Sequence, residues 1–125
     1  MRFPDKLDVL TIHARLIEET GGSSGLRDQA SLESALAAAE NRYNYENADA
    51  IACAATYAFH LTQAHAFVDG NKRTAAAITE VFLESNGSEL MMTNDQIVQI
   101  FTNIAAGRLT REDVEKQLRS TTRSR

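Results

Sequence analysis

Asp49-Ala50-Ile51-Ala52-Cys53-Ala54-Ala55-Thr56-Tyr57-Ala58-Phe59-His60-Leu61 is apolar on nearly every side of a helix and is broken only by Thr56 and His60. A helix of that character is buried all round. A second one follows in Ala75-Ala76-Ala77-Ile78 through Val81-Phe82-Leu83, which Asn86-Gly87 closes. Two alanine-rich helices let their backbones approach closely and form the spine of a bundle.

Outward from this pair the pattern stays helical. Pro4 and Asp5 open an amphipathic stretch with Leu7, Leu10, Ala14 and Ile17 at helical spacing, which runs to about Thr20 and stops at Gly21-Gly22. Ser31 is suited to cap a second helix through Leu32, Leu36 and Ala39. Thr93, with Gln96 three residues on, forms a capping box before Ile97, Ile100, Phe101 and Ile104, and Thr110 starts a last helix through Val114 and Leu118. The 19 alanines outnumber the 12 valines and isoleucines together, and there is one proline. The expected fold is all-α, a bundle of about six helices in a single domain over residues 1–125.

Composition excludes several classes. No apolar run reaches the roughly 18 residues of a membrane span, and the N-terminus lacks a signal-peptide core. The single Cys53 leaves no internal disulfide and no cysteine-based zinc site, so a cytoplasmic setting is expected. A net charge of −4 disfavours direct nucleic-acid binding; the basic residues Arg119, Arg123 and Arg125 read as a solvated tail over 119–125.

The chemistry is concentrated where the two buried helices meet: His65-Ala66-Phe67-Val68-Asp69-Gly70-Asn71-Lys72-Arg73-Thr74. Gly70 permits positive φ, Asn71 is a favoured N-cap, and the N–H groups of Lys72, Arg73 and Thr74 are then the unpaired donors of a first helical turn. Such a terminus attracts anions, and two cations placed there oppose the helix macrodipole unless a phosphate compensates them. Asp69 supplies a hard oxygen for Mg²⁺. His65, four residues earlier, is placed to take a proton from an attacking hydroxyl. Together these residues describe a phosphoryl- or nucleotidyl-transfer site, and one that is not a Walker A loop.

Other residues read as structural. His60 lies about 140° around a helix from His65, so a two-histidine metal face is not expected. His13 reads as a packing or surface residue, and Cys53 as a small core residue. The glycine- and serine-rich segment 21–28 is either a plain exposed loop or a short hairpin-like flap.

The pattern His65-x-Phe67-x-Asp69-Gly70-Asn71-Lys72-Arg73-Thr74-Ala75 resembles the signature of the Fic/Doc superfamily, and in its lysine-bearing form that of the death-on-curing (Doc) toxins of toxin–antitoxin modules. The resemblance implies the following roles. His65 is the general base, Asp69 the Mg²⁺ ligand, and Asn71, Lys72, Arg73 and Thr74 contact phosphate. Gly70 supplies the turn and Phe67 the apolar anchor of the loop, while segment 21–28 is a flap that holds the target by strand-like pairing. It also implies ATP as co-substrate, elongation factor Tu as the phosphorylated target, and a prevents-host-death-type antitoxin whose disordered tail folds onto the toxin.

Two positions depart from the general Fic pattern. Lys72 stands where a glycine lets the nucleotide phosphates approach, and Ala76 where a second arginine contacts them. A lysine side chain there should obstruct that pocket, and the resemblance to Doc toxins implies a kinase over the alternative of an adenylyltransferase. The other alternative is a catalytically silent co-repressor that binds the antitoxin. No inhibitory helix is found, because Leu36 precedes Glu40-Asn41 where Ser or Thr is expected.

Overall fold

The computed structural model describes residues 1–125. Six helices follow in order: α1 Lys6–Thr20, α2 Gln29–Glu46, α3 Ala50–Ala64, α4 Asn71–Ser85, α5 Asn94–Ala105 and α6 Arg111–Thr121. The all-α bundle expected from the sequence is the fold found. Helix α3 is its axis: Ala52 to Ala58, Leu61 and Thr62 are buried, and α2, α4, α5 and α6 all pack on it. Its alanines let these neighbours come close, while Tyr57, Phe82, Leu32 and Ile104 fill the space between them in one core of 22 buried residues.

Side-chain caps set most helix starts. Asp5, Thr93 and Thr110 close capping boxes with Asp8, Gln96 and Asp113, and Asp49 accepts from the Ala52 N–H. Helix α2 begins earlier than expected. Asp28, not Ser31, is its N-cap, and its carboxylate accepts both the N–H and the hydroxyl of Ser31 at 3.0 and 2.7 Å. A carboxylate is a stronger acceptor than a hydroxyl, and here it starts the helix three residues earlier.

Helix α1 differs in which face it buries. Leu7 is 70% exposed and Ala14 is exposed, whereas Val9, His13 and Ile17 are buried. Of this stripe, His13 and Ile17 meet the junction between α3 and α4, His13 at Phe67 and Asp69 and Ile17 at Gly70.

The tail also departs from expectation. Ser88–Leu90 forms a short strand β1 that pairs antiparallel with β2, Thr122–Ser124. Arg119 forks onto Asp49 at 2.8 and 3.1 Å and reaches Glu115, and Arg123 meets Glu89. The cations over 119–125 are thus spent largely on internal carboxylates. No helix is long and apolar enough to cross a membrane.

Candidate active site at the α3–α4 junction

Helix α3 ends at His65, which adopts a left-handed conformation (φ 48°, ψ 42°), and α4 starts after Gly70, also left-handed (φ 78°). Between these two reversals, residues 66–69 fold back against segment 21–28. The N–H groups of Arg27 and Asp28 donate to the Ala66 carbonyl at 2.7 and 3.0 Å, and the Val68 N–H donates to Gly25 at 3.1 Å. Leu26 and Phe67 form an isolated antiparallel bridge. Segment 21–28 is therefore strand-paired to the motif loop.

Phe67 is 4% exposed and stacks on the His13 ring, with centroids 3.8 Å apart. Asn71 does something other than cap. Its Oδ1 accepts the Phe67 N–H at 3.0 Å and its Nδ2 donates to the Phe67 carbonyl at 2.9 Å, so the side chain ties the loop together. The cap position belongs to Gly70, which has no side chain to offer. The first-turn donors accordingly shift by one residue. The Thr74 N–H is already bonded to the Gly70 carbonyl, which leaves the main-chain N–H groups of Asn71, Lys72 and Arg73 directed out of the helix end. The role expected for Thr74 as a phosphate contact does not fit this geometry: its side chain is 1% exposed and lies in the core.

His65, Asp69, Gly70, Asn71, Lys72 and Arg73 line one open cleft of about 330 Å³. His65 and Lys72 are exposed there. Asp69 is held from two sides: Oδ1 accepts the Gly70 N–H at 2.8 Å and Oδ2 the Ser23 N–H at 3.3 Å. These two backbone hydrogen bonds, with Arg73 nearby, keep its carboxyl below the ordinary carboxylate range, so it is ionised at neutral pH. Arg73 approaches Asp69 at 3.9 Å and also donates to the Thr20 hydroxyl and, at 3.3 Å, to the Gly21 carbonyl at the end of α1.

The residues fit a phosphate with its cation. No three His, Cys, Asp or Glu side chains cluster to form an all-protein metal cage, and Asp69 supplies the single carboxylate at the cleft. That donor set suits Mg²⁺, which keeps waters and takes its remaining ligands from phosphate oxygens. The uncapped helix end beside Lys72 suits the phosphates themselves. A second, smaller cleft of about 160 Å³ begins at Lys72 and Arg73 and continues past Ala76 to Ile97, Val98 and Phe101. The largest groove, about 500 Å³, lies elsewhere, between α1 and α4 around Leu7, Ile12 and Val81. It is mainly apolar and holds none of the motif residues.

Three residues at the site escaped the sequence reading. Arg27 donates from Nε and Nη2 to the His65 carbonyl at 3.1 and 2.9 Å. Gly22 lies so close to Asp69 that a Cβ would come within 2.5 Å of Oδ2. His13 is 4% exposed, and its Nε2 meets the Asp69 carbonyl at 2.7 Å. Its signal was present, since a histidine at 13 between Val9 and Ile17 is a polar residue on a buried stripe. His60, by contrast, stands away from the cleft, edge-on to Phe59, with burial lowering its pKa. Cys53 is buried and its thiol is pushed up by that burial, as suits an inert core residue.

A model of the Fic/DOC family matches residues 3–83, which contain α1 to α3, the whole motif loop and all but the last two residues of α4. The chain is also similar to the protein named Protein kinase doc of Escherichia phage P1, with 28% identity over 120 residues, 95% of this chain and 94% of that protein.

Proposed function

Since this chain belongs to the Fic/DOC family, we propose that it is a Doc-like toxin: a protein kinase that moves the γ-phosphoryl group of ATP to a hydroxyl of a translation factor, elongation factor Tu. The observation that carries this reading is the uncapped N-terminus of α4, where the main-chain N–H groups of Asn71, Lys72 and Arg73 have no partner in the helix and Lys72 lines a cleft shared with His65 and Asp69. Similarity to a protein named as a kinase supports the phosphoryl over the adenylyl outcome.

Each residue has a task. The helix end and Lys72 bind the phosphates and stabilise the charge that spreads over the transferring group. Asp69 offers a carboxylate oxygen to Mg²⁺, which when bound neutralises phosphate charge. His65 accepts the proton of the target hydroxyl as the oxygen attacks. Segment 21–28 uses one edge against the motif loop, and the outward main-chain groups of Leu26 are left by strand alternation for an extended target segment.

The protein works in the cytoplasm and is silenced by a prevents-host-death-type antitoxin whose tail orders on binding. Incubation with elongation factor Tu, Mg²⁺ and ATP tests the reading: phosphate should appear on the target with the wild type and be lost with His65→Ala.

A further inference from the structure

Helix α1 lies outside the motif, yet one of its side chains acts directly on the motif backbone. His13 Nε2 is 2.7 Å from the Asp69 carbonyl oxygen. A carbonyl only accepts, so Nε2 carries the hydrogen and donates it. The Asp69 carbonyl and the Gly70 N–H belong to the same peptide plane. That N–H in turn donates to Asp69 Oδ1 at 2.8 Å. The plane is therefore gripped at its oxygen by His13 and at its nitrogen by the carboxylate. Rotation of the plane would carry Oδ1 with it.

We propose that His13 is a positioning residue: through its hydrogen bond to the Asp69 carbonyl it fixes the Asp69–Gly70 peptide, and thereby the direction in which the Asp69 carboxylate faces the cleft. The ring is locked for this task. It is 4% exposed and stacked within 10° of parallel on Phe67. Gly70 sits against the same helix face, where a Cβ would come 3.1 Å from Ile17 Cδ1 and 3.6 Å from His13 Nε2. Outer groups that orient a metal-ligating carboxylate commonly govern metal affinity by about 10–100-fold. The part of the inference that concerns Mg²⁺ rests on the proposed function; the part that concerns the peptide plane does not.

His13→Gln and His13→Met test it. The two side chains have nearly the same length and shape, both lose the ring stack, and only Gln keeps an N–H donor at comparable reach. Binding of the nonhydrolysable analogue β,γ-imido-ATP in the presence of Mg²⁺ should weaken roughly 10–100-fold in the Met variant and much less in the Gln variant. Amide exchange at Gly70 should accelerate in Met and stay near wild type in Gln, with Val68, bonded to Gly25, as internal control. A shorter apolar variant, His13→Leu, repeats the comparison if Met does not fold. Equal behaviour of Gln and the apolar variants in both readouts overturns the inference and leaves His13 a packing residue. If the wild type itself does not bind the analogue with Mg²⁺, the functional reading fails. Gly70 exchange then decides the role of His13 alone: faster only in the apolar variants supports it, and unchanged in all overturns it.

Discussion

The Arg27 guanidinium forks onto the carbonyl of His65, at 3.1 Å from Nε and 2.9 Å from Nη2. Arg27 lies near the end of the segment that pairs with the motif loop, and His65 is the proposed base. The fork ties them: the left-handed turn that presents the imidazole is held by the same arm whose main chain bonds Ala66. Arg27→Met keeps the aliphatic stem and removes the fork. Transfer to the target should fall by about tenfold or more, as a small displacement of a catalytic group allows, with nucleotide binding unchanged. Kinetics on the folded variant check this, and full activity would detach Arg27 from the mechanism.

His65 carries a conformational cost. A non-glycine residue in the left-handed region costs on the order of 1–3 kcal/mol. His65→Ala and His65→Gly should both lose roughly 10²–10⁴-fold in transfer rate, because both lack the base. They should differ in stability, with Gly about 1 kcal/mol above Ala, since only Gly adopts φ 48° freely. Thermal melts of the pair decide it.

Phe67→Ala should act on the fold as well as the site. Emptying a buried aromatic costs about 3–5 kcal/mol. For a chain of this length that lowers the melting temperature by roughly 10–20 °C. The loss should exceed that of His65→Ala, whose exposed ring leaves no cavity. A Phe67→Ala protein that melts with the parent would show that the loop is held by its hydrogen bonds to Asn71, His13 and segment 21–28 without this anchor.

Much of this arrangement was legible in the sequence, and the misses share a cause. The bundle was readable because Ala and Ile, Phe and Leu recur at helical spacing, and the caps because Asp49, Thr93 and Thr110 have their partner positions three residues on. Asn71 was readable as a motif residue and not as the staple across Phe67, because its bonds depend on how residues 66–70 fold back. His13 and Arg27 act on carbonyls 56 and 38 residues away, and a carbonyl leaves no mark on sequence. The strand at Thr122–Ser124 was hidden for the same reason: its partner is the distant strand Ser88–Leu90, not a local pattern.

Asp49 gives the pH dependence its sign. The Arg119 hydrogen bond, and then the Ala52 N–H at the cap, hold its carboxyl below the ordinary carboxylate range against the opposing effect of burial. The stabilisation is present above the unfolded value and is lost as pH falls through the lower folded value. Acid titration of stability should show this loss below about pH 4 in the wild type. Asp49→Asn keeps a capping oxygen but should flatten that part of the curve, and a superimposable acid limb would contradict the assignment.

Because Lys72 is the residue proposed to favour phosphoryl over adenylyl transfer, the most direct measurement uses ATP labelled in turn at its γ- and α-phosphates, with Mg²⁺ and elongation factor Tu. The γ-label should pass to the target, the α-label should remain in released ADP, and Lys72→Gly should lower the γ-transfer. Appearance of the α-label on the target, with the mass of an adenylyl group, would contradict the kinase account.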